Sequence, residues 1–89
     1  MLDEDNLWYY DDGQLIDLTP NQAKMLAVLI ENKGKVVPTK EIVLKMFKDD
    51  TNINIYKNSI RIIASRLNKR IGFSLKIKAK NGKGYYIEL

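Results

Sequence analysis

The sequence predicts an α+β fold in which three helices lie between a short N-terminal antiparallel sheet and a C-terminal β-hairpin. Three observations lead there. Apolar residues recur at helical spacing in three successive segments between residues 19 and 71. The segment after them changes to a period of two. Asp-Gly and Asn-Gly turn signals stand near the two ends. With 89 residues the chain suits one small domain, 1–89, able to bury a modest core without staples. Its expected parts are strands in 1–18, three helices in 19–72 with a short strand near 35–37, and a hairpin in 73–89.

In chain order, "NLWYYDDGQLIDL" reads as two short strands around Asp11-Asp12-Gly13, and 18 residues leave room for two strands, at most three. "LTPNQAKMLAVLIENKG" is the clearest helix. Thr19 is the N-cap, Pro20 fits the first helical position, Gln22 completes a capping box, and Gly34 supplies a left-handed stop. Met25, Leu26, Leu29 and Ile30 make this helix apolar around much of its girth, which predicts a central position. "KVV" is a very short strand stopped by Pro38. In "TKEIVLKMFKDD", Ile42, Val43, Met46 and Phe47 fall at helical spacing behind a Thr39 cap.

The third helix is expected at about 55–71, capped by Asn52 or Asn54 and ended by Gly72. Tyr56, Ile60, Ile63, Leu67 and Ile71 follow steps of 4, 3, 4 and 4, with Ala64 alongside. Ile62 points almost directly away from that stripe, among Asn58, Ser65, Arg66 and Lys69. In "FSLKIKAKNGKGYYIEL" Leu75, Ile77 and Ala79 alternate with Lys76, Lys78 and Lys80, so one strand face is apolar and the other is lysine. "NGKG" turns the chain, and Tyr85 onward returns antiparallel. Two helices followed by a basic hairpin describe a winged helix-turn-helix.

The net charge of +4 conceals an asymmetry. Residues 1–18 carry six acids and no base, while the remainder carries fifteen bases against five acids. From Lys57 to Lys83 there are nine basic residues and no acid. Such a block points to a polyanionic partner, since a merely solvated face mixes both signs. Histidine and cysteine are absent and no phosphate-cradling glycine loop is present, so an enzyme is the weakest reading. No cofactor or metal site is expected. The longest apolar run, Met25 to Ile30, is too short for a membrane, and a cytoplasmic location is expected.

Leu18, Thr19, Gln22, Met25, Leu26, Leu29, Asn32, Gly34, Val36 and Val37 resemble, in order, the opening of the OmpR/PhoB-type effector domain of bacterial response regulators. Ser59, Ile60, Ile62, Arg66, Leu67 and Lys69 are similar to its recognition helix, and Gly82, Gly84 and Tyr85 to the end of its wing. The resemblance covers about residues 14–89. Phe47 stands where the family usually has Trp, Pro38 replaces a Ser or Thr cap, and Asn81 stands where many members have the wing arginine. Ala23 and Ala64 are smaller than the family's usual side chains, and Ile63 is placed to compensate.

The resemblance implies sequence-specific duplex-DNA binding by a transcription regulator, as a head-to-tail dimer on direct repeats. It also implies RNA polymerase contact through the loop 48–55 and, in most members, a phospho-receiver domain upstream. The recognition helix would enter the major groove, with the wing on the adjacent backbone or minor groove. Arg61, Ile62, Ser65, Arg66 and Lys69 are the candidate base contacts. Among them Arg66 suits guanine, and Ile62 suits a thymine methyl. Lys40, Lys57, Asn58, Ser59 and Asn68 are the candidate backbone contacts. Lys78, Lys80, Asn81 and Lys83 form the basic wing tip. The rival reading is a winged-helix protein-interaction module whose basic face binds an acidic protein.

Overall fold

The computed structural model describes residues 1–11, 13–48, 53–71 and 75–88. The elements run β1 (Leu2–Asp3), β2 (Trp8–Asp11), β3 (Gln14–Asp17), α1 (Pro20–Glu31), β4 (Val37–Pro38), α2 (Thr39–Phe47), α3 (Ile53–Ile71), β5 (Lys76–Lys80) and β6 (Gly84–Glu88). The first three strands make one antiparallel sheet in the order β1-β2-β3. The last three make a second in the order β4-β6-β5. This is the winged helix-turn-helix that the residue pattern describes. Among the described residues no helix is long and apolar enough to cross a membrane.

α1 is the centre. The Thr19 hydroxyl accepts from the Gln22 backbone N–H at 3.1 Å, and Gln22 Oε1 accepts from the Thr19 N–H at 3.1 Å. This reciprocal box satisfies two of the donors that a helix start otherwise leaves open. Gln22 is buried, but its side chain is engaged in the box, so burial leaves no stranded polar group. Ala23, Met25, Leu26, Val28 and Leu29 are all buried. Ile42, Val43 and Met46 of α2 join this core, as do Ile60, Ala64, Leu67 and Ile71 of α3 and Ile77 and Ile87 of the second sheet. Ile63 is half-buried against the core, as the small Ala23 and Ala64 side chains lead one to expect.

The structure departs from the sequence expectations at several boundaries. The N-terminal sheet has three strands, because Leu2–Asp3 pairs with β2. The turn between them is closed by Asp3, whose carboxylate accepts the Asn6 backbone N–H at 3.0 Å and its side-chain N–H at 2.9 Å. Those hydrogen bonds, the side-chain one foremost, hold the Asp3 carboxyl below its ordinary pKa. β4 begins at Val37 and takes in Pro38 rather than stopping before it. Pro38 is tolerated because β4 is an edge strand of its sheet. Thr39 is the first residue of α2 instead of its cap; Pro38 occupies the cap position without a side-chain bond. α3 starts at Ile53, so Asn54 lies inside its first turn. Ala79 is exposed, because the hairpin runs past the core near its tip. The Asn52 cap, the Gly72 stop and residues 49–52 of the 48–55 loop lie outside the described residues.

Across the turn of the helix pair, the rings of Phe47 and Tyr56 stack with centroids 4.4 Å apart and planes 14° from parallel. Two wing glycines serve different needs. Gly82 has φ +71° in the hairpin turn, a conformation L side chains rarely adopt. Gly84 faces the Val37 backbone so closely that a Cβ would collide with the Val37 carbonyl and stand 2.9 Å from Pro38 Cα. Gly84→Ala must therefore push β4 from β6. It is expected to lower stability by about 1–3 kcal/mol, the range for overpacking, as read from a urea unfolding midpoint.

Candidate nucleic-acid interface

α3 spans 19 residues and contains no acid. Its inner stripe of Ile60, Ala64, Leu67 and Ile71 is buried, and this sets the rotation of the whole helix. On the opposite side Ile55, Asn58, Ser59, Arg61, Ile62, Ser65, Arg66 and Lys69 are exposed. All five candidate base contacts thus face outward together. Ile62 is 46% exposed and packs into no part of the core. The Arg61 guanidinium donates to Asn58 Oδ1 at 2.7 Å, which lays Arg61 back along the helix. The acidic N-terminal segment leaves this face open. Its hydrogen bond to α3 lies at the far end, where Arg70 Nε donates to the Asp17 carbonyl at 2.9 Å.

The wing tip closes when the Lys83 N–H donates to the Lys80 carbonyl at 2.9 Å, and the Thr39 N–H ties the tip to the start of α2 through the Lys83 carbonyl at 3.3 Å. Lys40 in the first turn of α2, Lys57 near the start of α3, and Lys80 and Lys83 of the wing consequently line one cleft of about 410 Å³, with Asn81 at its edge. No acid lines it. Four like charges around one concavity create a field that draws polyanions. Residues picked separately from the sequence here converge, which spacing alone does not reveal.

Two candidates are placed differently from expectation. Asn68 was expected on a phosphate-facing flank. Instead it is half-buried, its Nδ2 donates to the Ile77 carbonyl at 2.8 Å, and its Oδ1 accepts from the Ile77 N–H at 2.8 Å. β5 is an edge strand, and Asn68 pairs with its open side as another strand would. Asn68 therefore joins α3 to the wing. Lys78 was expected at the wing tip. It lies farther down β5 and forms an ion pair with Glu88 on β6. The Glu88 hydrogen bond, and then its charge, hold the Lys78 ammonium pKa above the ordinary value. The sequence reading missed Ile55, 65% exposed and two helical turns before Ile62 on the same face. Its spacing of seven was the available signal, but the expected helix start at about 55 left it at a fraying end.

The three helices, the wing and the acid-free outer face of α3 define a winged helix-turn-helix module. The chain belongs to the family described as transcriptional regulatory protein, C terminal, whose model matches residues 13–87; this is the OmpR/PhoB-type DNA-binding domain, a family of transcription regulators and not of enzymes. The chain is similar to the sensory transduction protein BceR of Bacillus subtilis, with 31% identity over 85 residues, covering 92% of this chain and 36% of BceR. It is 29% identical over 89 residues to the response regulator ArlR of Staphylococcus saprophyticus, covering 98% of this chain and 40% of ArlR. It thus spans about two fifths of the length of the curated relatives it matches. Among solved structures it resembles the DNA-binding domain of Bacillus subtilis CssR, at 26% identity and TM-score 0.74, covering 99% of this chain and 98% of that one. The DNA-binding domain of E. coli CpxR, at 21% identity and TM-score 0.79, covers 97% and 86% and shares the fold.

Asn68→Ala removes both bonds to Ile77 and is expected to cost about 1–2 kcal/mol, measured by urea unfolding. Asn68→Asp keeps an acceptor for the Ile77 N–H but sets a carboxylate against the Ile77 carbonyl, so it should not restore the loss. Glu88→Gln releases Lys78. It is expected to strengthen binding to any duplex and to steepen the dependence of log affinity on log salt by about 1, measured by fluorescence anisotropy across a salt series. Because the pair is solvent-exposed, the same change should leave the melting temperature nearly unmoved.

Proposed function

We propose that this chain binds duplex DNA sequence-specifically as the reading domain of a bacterial transcription regulator. α3 lies in the major groove, and the wing rests on the adjacent backbone or minor groove. The observation that carries this reading is the continuity of the exposed, acid-free face of α3 with the four-lysine cleft. A major groove offers acceptors on its floor and phosphates along its rims, which matches donors on the helix face and lysines at its flank.

Arg66, exposed, contacts guanine O6 and N7 with its planar fork, worth roughly 1–3 kcal/mol of discrimination. Arg61, Ile62, Ser65 and Lys69 complete the base-facing set. Lys40, Lys57, Asn58 and Ser59 hold the phosphates, and Lys80, Asn81 and Lys83 form the wing contact. The outer face of the N-terminal sheet has a different character. The strand registers place Asp3, Trp8, Tyr10, Leu15 and Asp17 on that side. An acidic, aromatic surface repels phosphate and suits a protein contact. The family resemblance supplies the rest of the proposal: head-to-tail pairing on direct repeats, RNA polymerase contact through residues 48–55, a receiver domain upstream in the longer regulator, and a cytoplasmic site of action.

Selection of bound duplexes from a randomised pool tests the reading. A specific reader should prefer its best duplex over random DNA by ~10³-fold or more, whereas a module for acidic proteins would show no such preference. Arg66→Ala is expected to relax sequence choice and weaken specific binding. Lys80→Ala or Lys83→Ala should weaken all duplexes about equally and lower the salt slope by about 1 each. Unchanged sequence preference and affinity in Arg66→Ala would remove α3 from the role of reader.

A further inference from the structure

The outward face of α3 carries two isoleucines. Ile55 is 65% exposed and Ile62 46%. Neither belongs to the core or packs against it. Seven residues make two helical turns less about 20°, so the two side chains stand in one line about 10.5 Å apart. Asn58 and Ser59 lie between them, and Arg66 and Lys69 lie beyond, all exposed. Two large apolar groups this exposed on a cationic face bury little for the fold, and the hydration of their exposed surface is unfavourable. The partner that fits them must offer negative charge at its rims and isolated apolar points between. A duplex major groove does so, because thymine is the base that projects a methyl group there. Successive base pairs rise 3.4 Å, so 10.5 Å corresponds to about three steps for a helix that follows the groove.

We infer that Ile55 and Ile62 are a matched pair of thymine-methyl readers. The preferred duplex then carries two thymines about three base-pair steps apart, with the base read by Arg66 about two steps further on, since four residues of helix rise about 6 Å. This rests on α3 being the major-groove element, and it adds a second reading position and a spacing to that proposal.

The test uses the tightest duplex recovered from the randomised pool, with each dT replaced in turn by dU. That exchange deletes the methyl group and keeps base pairing. For the unmodified protein, two positions should lose about fourfold in affinity each, the value of one buried methyl, while the other positions stay level. Ile55→Ala should abolish the dT/dU difference at one of these positions and Ile62→Ala at the other. Ile62→Val should keep most of the difference at its position. Both isoleucines are exposed, so thermal unfolding of the variants should match that of the parent. If a strongly preferred duplex shows no dU sensitivity, or keeps it in both alanine variants, the methyl-reading pair is overturned while the DNA-binding reading stands. If no duplex is preferred at all, both fall.

Discussion

A helix that both anchors a core and presents a polar, cationic face to solvent must divide its circumference, and in α3 the division is enforced by burial. Ile60, Leu67 and Ile71 are fully enclosed, and α3 packs on α1, whose Met25, Leu26 and Leu29 are enclosed as well. Each such aliphatic side chain contributes roughly 1.5–3 kcal/mol relative to exposure. A slip of one residue turns the helix by about 100°, which would lift much of that stripe into solvent. The rotation is therefore held by several side chains at once. Ile62 and Arg66 face outward because the alternative empties the core, and leaving two isoleucines wet is the smaller loss.

Orientation alone would leave the helix and wing as separate elements. The edge of β5 solves this. Its open N–H and C=O at Ile77 would otherwise face water or another chain's strand. Asn68 takes both, one donor and one acceptor from a single amide. Arg70 does something similar at the other sheet through the Asp17 carbonyl. On the far side of the wing, Gly84 lets β6 lie against β4, and the Lys83 carbonyl meets the start of α2. The wing tip is thereby registered against α2 and α3 together, and this produces the lysine cleft.

Charge is then distributed on a frame already rigid. Asp3, Glu4, Asp5, Asp11 and Asp17 sit with the N-terminal sheet, and the basic block from Lys57 to Lys83 lies on α3 and the wing. Such a separation gives the domain an electrical direction. Long-range steering presents the basic side to a polyanion and turns the acidic sheet away. Lys78 is the local exception, since Glu88 diverts it along the hairpin.

The features legible in the amino-acid order are those whose cause is local. The Thr19–Gln22 box involves residues three apart, the α3 stripe repeats at three and four, and Gly82 answers a single backbone angle. The charge block is also linear, so the basic side of α3 could be read directly. Other features depend on partners brought near only by folding. β1 has two residues, too few for a pattern, and exists because of the Asp3 turn and the Tyr9 and Trp8 backbone beside it. Asn68 and Lys78 look like free polar groups until the hairpin folds back and gives them Ile77 and Glu88. Local periodicity could say which residues face out. Only tertiary packing decided which of those remain unengaged, because a hydrogen-bonding group commits to whatever the chain's return path places within about 3 Å.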